Sequence, residues 1–272
     1  IGTRDGGGGK LMDPLTTNSQ SLFRLDGQVA LMTGGSKGLG EAMARALAGA
    51  GAQVVITSRH QEEAKQVADE IASDCGVRVL ALEADAGDRI QVEDSVSSTI
   101  EQLGQLDILV NNAGINLRKP IVEMEDEDWR AVMAINIDGP VYYCRAAGRH
   151  MLERGYGRVI NMGSTLSTIS IPGRVPYASS KGAIVQLTRT LALEWAESGV
   201  TVNSICPGPF ATPINQPLLD DPDATAAMVS KVPMGRWGDP RELATAALYF
   251  ASPASSFTTG ATLLVDGGYT SQ

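Results

Sequence analysis

The stretch Val29–Gly49, VALMTGGSKGLGEAMARALAG, decides the fold. Its opening run, Val29–Met32, is apolar enough for a strand buried on both faces. From Gly38 onward Leu39, Ala42, Met43, Ala46 and Leu47 recur at helical spacing. Between the two lies Thr33-Gly34-Gly35-Ser36-Lys37-Gly38-Leu39-Gly40, so the chain passes from strand to helix through a glycine-rich turn. Backbone N–H groups and the positive end of the helix face whatever occupies such a turn. Glycine is needed there because a Cβ would obstruct an approaching pyrophosphate or the packing of helix on strand. An ordinary glycine-rich turn is the alternative, but a strand before it and a helix after it favour a dinucleotide phosphate. The spacing departs from the standard G-x-G-x-x-G, which points to a subfamily.

The same alternation continues along the chain. Val54–Thr57, Val77–Leu82, Ile108–Val110, Val159–Asn161, Val200–Ile205 and Leu263–Val265 are the further strands expected, and Gln61–Ser73, Arg89–Leu103, Trp129–Leu152, Tyr177–Glu197 and Pro240–Ala251 the helices. Apolar strands separated by helices imply a parallel sheet covered on both faces. With right-handed crossovers this gives an α/β, doubly wound, Rossmann-type domain of about seven strands over residues 22–272, its ligand beyond the C-terminal ends of the strands. Residues 1–21 are Gly-rich and polar and are expected to form a flexible tail.

Composition excludes several classes. The 272 residues carry 22 Lys and Arg against 31 Asp and Glu, a net charge of −9 without a basic run, which argues against nucleic acid as partner. Cys75, Cys144 and Cys206 are far apart, and with His60 and His150 they make no zinc spacing, so no metal is expected. No apolar run reaches the roughly 20 residues of a membrane span, and no charged-then-apolar leader opens the chain. A cytoplasmic protein without a membrane partner is expected.

At the end of the second strand, where an acidic side chain would hold a ribose 2′-hydroxyl, the sequence has Thr57-Ser58-Arg59-His60. Arg59, with Lys37 inside the glycine turn, suits a 2′-phosphate, so NADPH is expected over NADH. Two solvated surface cations are the alternative. Tyr177 and Lys181, four residues apart, stand on one helix face. A phenol titrates near pH 10, an adjacent ammonium favours the phenolate, and acid–base catalysis works best with a pKa near the working pH. Lys181 is therefore expected to tune Tyr177. Thirteen residues before the tyrosine, just after a strand, Ser164 places a hydroxyl able to hydrogen-bond a carbonyl oxygen as negative charge develops. A plain capping serine is the other reading.

These residues, with TGGSKGLG at 33–40, Asp85, NNAG at 111–114, Asn136, YASSK at 177–181 and PGPFAT at 207–212, resemble the classical short-chain dehydrogenase/reductases from about Phe23 to the end. The resemblance implies that Gly34, Ser36, Lys37, Gly38, Leu39 and Gly40 form the phosphate turn and that Ser58 and Arg59 bound the adenosine ribose. It implies that Asp85 and Ala86 hold the adenine end, that Asn112, Ala113 and Gly114 support the sheet edge, and that Pro207, Gly208 and Thr212 reach the nicotinamide. It further implies Tyr177 as general acid/base and Lys181 on the nicotinamide-ribose hydroxyls. Ser164 would orient the carbonyl, Asn136 would hold a water in a proton relay, and the assembly would be a homotetramer.

Substrate choice is expected in the stretches 115–120, 166–176 and 210–232. The last carries Pro213, Pro217, Pro222 and paired aspartates, which suit a mobile lid near 208–232. Arg118, Lys119 and Arg174 would give the mouth a positive character suited to a carboxylate. CPGPFATPIN followed by VPMGRWGDP looks most like the gluconate 5-dehydrogenase group, implying a sugar acid or polyol whose secondary alcohol and ketone are interconverted. A 3-oxoacyl carrier-protein reductase and a non-catalytic NADP-binding regulatory protein are the alternatives.

Overall fold

A computed structural model describes residues 18–272. Residues 1–17, most of the expected tail, lie outside the described residues, and Ser19–Phe23 form a 3-10 turn capped by the Asn18 side chain. Seven strands, β1 Val29–Thr33, β2 Gln53–Ser58, β3 Val79–Glu83, β4 Ile108–Asn111, β5 Gly157–Met162, β6 Val200–Pro207 and β7 Thr262–Val265, form one sheet in the order β3-β2-β1-β4-β5-β6-β7. Every neighbouring pair is parallel. Each expected strand lies within two residues of an observed one, because a β-branched run buried on both faces leaves little alternative.

Successive side chains point to opposite faces of a strand. Ala30, Met32, Val54, Ile56, Ile108 and Val110 enter one core layer with helices α1 (Gly38–Gly49), α2 (Gln61–Cys75) and α9 (Pro240–Ala251). Leu31, Val55, Leu109, Val159 and Val202 enter the other, against α3 (Arg89–Leu103), α5 (Gly139–Arg154) and α6 (Val175–Trp195). The order of strands reverses at β1, which pairs with β2 on one side and β4 on the other. Crossovers therefore leave β1 in opposite directions and open a crevice above its C-terminal end.

One expectation changes. The single helix expected over Trp129–Leu152 is three pieces: α4 (Asp126–Met133), a π-turn at Ala134–Asp138 and α5. Pro140 has no N–H for the carbonyl of Asn136 four residues back, so the α-helical ladder must break there. A Cβ on Gly139 would stand 2.6 Å from the Ala86 carbonyl oxygen, so the chain also passes close to the β3 connection. The stretch expected as a lid contains α7 (Gln216–Leu219) and α8 (Pro222–Val229). Asp221 starts α8 by accepting the N–H groups of Asp223 and Ala224, and neither helix buries a side chain. Among the described residues no helix is long and apolar enough to cross a membrane.

Helices α5 and α6 meet where Gly148 lies under Trp195, and a Cβ on Gly148 would approach the indole to 2.8 Å. Trp195 is buried and cannot simply swing away. Gly148→Ala should destabilise the fold by about 1–3 kcal/mol, lowering the thermal midpoint by about 2–10 °C. Calorimetry checks this, and an unchanged midpoint would show that the helices repack freely.

Candidate active site

A cavity of about 670 Å³ opens over the C-terminal ends of β1, β4, β5 and β6. That is within the usual size of a small-molecule or cofactor site. Ser164, Tyr177, Lys181 and every residue expected to touch a cofactor line it; Asn136 lies buried behind its wall.

The glycine turn is built for close approach. Gly34 and Gly38 have φ of +63° and +58°, a region that side-chain-bearing residues seldom adopt. A Cβ on Gly40 would fall 2.3 Å from the Gly34 carbonyl oxygen. No side chain caps α1, and among the described residues no protein acceptor takes the N–H groups of Ser36 to Gly40. Those donors, with the helix dipole behind them, suit a pyrophosphate. Asn112 braces the turn by donating its amide to the carbonyls of Thr33 and Gly34 at 3.0 and 2.9 Å. The Thr33 hydroxyl accepts the N–H groups of Asn112 and Ala113, each at 2.9 Å.

At the adenosine end, Ser36 and Ser58 approach hydroxyl to hydroxyl at 3.3 Å, and Asp85 accepts the Gly87 N–H at 2.8 Å. The two cations expected there differ. Lys37 pairs with Glu63 of α2 at 2.8 Å, so it is not free for a phosphate without giving up that partner. Such an exposed pair is worth about 0–1 kcal/mol at most. Arg59 has no ion pair among the described residues. It is the better placed of the two.

Lys181 is buried and donates to the Met162 carbonyl oxygen at 2.7 Å. Its ammonium lies 5.7 Å from the centre of the Tyr177 ring. Burial pulls Lys181 down to about 8. Burial raises the Tyr177 phenol above its ordinary value, opposed by polar contact with Ser164 and by the positive charge of Arg174. The charge that draws the phenol down thus comes from Arg174, where spacing alone pointed to Lys181. An ammonium near 8 titrates before the phenol and has lost its charge when the phenol ionises.

Ser164 is seen in its capping role and also stands at the cavity. Its Oγ accepts the Leu166 N–H at 3.1 Å and caps a 3-10 turn, yet the same side chain lines the cavity beside Tyr177. Asn136 grips the loop after β4, accepting the Ile115 N–H at 2.9 Å and donating to the Ile115 carbonyl and to the Ser180 hydroxyl, each at 3.0 Å. Its amide hydrogens are committed. A water held by this residue would meet its backbone carbonyl, which lacks an α-helical donor because of Pro140.

At the mouth, Arg118 and Arg174 line the cavity, whereas Lys119 lies outside it and pairs with Asp128 at 2.9 Å. Lys119 therefore drops out of the expected positive rim. Trp237 and Tyr269 also line the cavity; along the sequence Trp237 has no site role beyond its place in VPMGRWGDP, and Tyr269 is not singled out. Tyr269 arrives through the turn Asp266–Tyr269 after β7, far along the chain from the other motifs. The buried atoms Trp237 Nε1 and Asn116 Oδ1 have no hydrogen-bond partner among the described residues, and both residues line the cavity.

Comparison with known proteins agrees with this geometry. The family model described as enoyl-(acyl carrier protein) reductase matches residues 34–270. Galactitol 2-dehydrogenase (L-tagatose-forming) of Cereibacter sphaeroides is 40% identical, covering 92% of this chain and 98% of its own. Gluconate 5-dehydrogenase of Gluconobacter oxydans is 38% identical over 92% and 97% of the two chains. The crystal structure of a gluconate 5-dehydrogenase from Burkholderia cenocepacia, in complex with NADP and tartrate, is 40% identical with a TM-score of 0.90 and covers 94% of this chain and 100% of its own. By matched length, fold and site, the chain belongs to the short-chain dehydrogenase/reductase family.

Proposed function

We propose that this protein is an NADP(H)-dependent oxidoreductase that interconverts a secondary alcohol and a ketone, with a sugar acid or polyol as substrate. The observation that carries it is the convergence of Ser164, Tyr177 and Lys181 with an uncapped glycine turn in one cavity. Relatives acting on galactitol and gluconate, and one solved with NADP, support the substrate class and the cofactor.

Gly34, Gly38 and Gly40 would admit the pyrophosphate, Arg59 the 2′-phosphate, and Thr212 with Pro207 and Gly208 the nicotinamide end. The bound cofactor supplies or accepts the hydride. Tyr177 gives its phenolic proton to the carbonyl oxygen during reduction, and a phenol whose pKa is raised by burial keeps that proton available at neutral pH. Ser164 donates a hydrogen bond to the same oxygen as it gains negative charge. Lys181 anchors the ribose hydroxyls, and Asn136 holds the loop at Ile115 against the helix that carries Tyr177. The protein is read as a cytoplasmic homotetramer on the family resemblance alone.

The substrate class is tested by comparing NADPH oxidation with 5-keto-D-gluconate against a short 3-oxoacyl thioester. Preference for the keto acid is expected, and preference for the thioester would select the carrier-protein reductase reading. Tyr177→Phe should lose at least a hundredfold in kcat while still binding NADPH. Full activity in that variant would mean that the pocket binds cofactor without this phenol acting.

Two further outcomes follow from the site. Arg59→Ala should weaken NADPH binding roughly tenfold or more and leave NADH nearly unchanged, since it removes a charge-assisted contact to the 2′-phosphate alone. Equal losses measured by fluorescence titration would remove that assignment. Because Lys181 is cationic only below about 8, kcat/KM for reduction should hold through neutral pH and fall as pH passes about 8. In Lys181→Arg the break should move upward, and a break that stays put belongs to another group.

A further inference from the structure

Ser167 ends the 3-10 turn that Ser164 caps. It stands outside the cavity wall, yet its one hydroxyl meets three elements of the site. The Oγ accepts the Ser164 N–H at 3.1 Å and donates to the Lys181 carbonyl of α6 at 2.8 Å, while the Cys206 thiol of β6 lies 3.8 Å away. A hydroxyl has one hydrogen and two lone pairs, so these contacts occupy all of it. The strand end before the turn has no freedom of its own. Gly163 donates its N–H to the Ile205 carbonyl at 2.7 Å, and a Cβ on it would fall 2.4 Å from Cys206 Sγ. Lys181 is held to the same strand end, since its ammonium donates to the Met162 carbonyl. What can shift is the short turn from Ser164 to Ser167.

The turn also sets the Ser164 side chain. Ser164 Oγ spends a lone pair on the Leu166 N–H, so its own hydrogen is left for the cavity, where it has polar contact with Tyr177. Ser167 closes the turn twice, giving its N–H to the Ser164 carbonyl at 2.9 Å and taking the Ser164 N–H on its Oγ. Without the hydroxyl, a backbone N–H and a carbonyl beside the site lose a partner, and a group left unpaired there moves or draws in water. The Lys181 carbonyl keeps its place in the ladder of the 21-residue helix α6, whereas among the described residues no other acceptor takes the Ser164 N–H. The turn therefore gives way before the helix does.

We propose that Ser167 is a positioning residue: by joining the Ser164 N–H to the Lys181 carbonyl, it sets where the Ser164 hydroxyl stands relative to Tyr177 and Lys181. The inference rests on the alcohol–ketone reading given above. Ser167 lies outside the cavity and reaches the reaction only through Ser164.

The test is a double-mutant cycle on the full chain with Ser167→Ala, Ser164→Ala and the two together. It reads kcat and KM for reduction of 5-keto-D-gluconate, and NADPH affinity by fluorescence titration. Ser167→Ala should lower kcat about 10- to 100-fold, the loss that follows a displacement of about 1 Å, with NADPH affinity held within about twofold. In the Ser164→Ala background the same change should cost less than about threefold, since the group it places is already gone. Losses that multiply across the two sites, or NADPH binding weakened about tenfold, would overturn the proposal. Should Ser167→Ala not fold, Ser167→Cys, which keeps the size with a weaker donor and acceptor, goes through the same cycle with the same expectations. A crystal structure of the variant needs no substrate. In it Ser164 Oγ should stand at least about 0.5 Å from its present place or turn from the cavity, and an unmoved Ser164 would overturn the proposal. If the wild type reduces no ketone while Ser164 has moved in the variant, the positioning role stands and the alcohol–ketone reading fails.

Discussion

The site depends on the tie between the ends of β1 and β4. Where the ladder of the sheet stops, Thr33 and Asn112 continue it with side chains: the threonine hydroxyl accepts two backbone N–H groups and the asparagine amide donates to two carbonyls. These four bonds hold the glycine turn against the loop that leads to Asn136 and Arg118. Buried backbone groups at a strand end must find partners, and here the partners also set the spacing between the phosphate turn and the substrate side. A second polar chain, from Asn111 to Asn161 at 2.8 Å and from Asn161 to Thr188 at 3.0 Å, carries the constraint across β5 to α6, on which Tyr177 and Lys181 stand.

On this frame, burial is the main influence on Tyr177 and Lys181. It raises the phenol of Tyr177 and lowers the ammonium of Lys181, so each moves toward its neutral form. In such surroundings a nearby lysine is a weak source of positive charge at alkaline pH, whereas arginine keeps its proton throughout. Arg174 therefore acts on Tyr177 as a lasting charge, whereas the charge of Lys181 is present only below about 8.

Much of this was legible beforehand. All seven strands and most helices follow from hydrophobic period and glycine, because a fully covered parallel sheet demands apolar strands and turns with room for a ligand. Ser164, Tyr177 and Lys181 and the residues expected at the cofactor were named from spacing and family likeness, and the fold brings them to one cavity. Asn136 was placed inside a continuous helix because apolar period runs through Trp129–Leu152 without interruption; the break comes from one missing N–H at Pro140. Along the chain Trp237 stands out only within VPMGRWGDP and Tyr269 not at all, because each reaches the cavity only when a distant segment folds back over the sheet.

The sequence by itself determined the strand and helix order and the glycine turn and singled out Tyr177 as the candidate proton donor, since each is a matter of neighbours within a few positions. Only the tertiary structure decided which cations are free. Lys37 and Lys119 looked equivalent to Arg59 and Arg174 along the chain, yet Glu63 and Asp128 neutralise the lysines and leave the arginines facing the cavity. Charge pairing acts over a few ångströms in space and is blind to separation along the backbone.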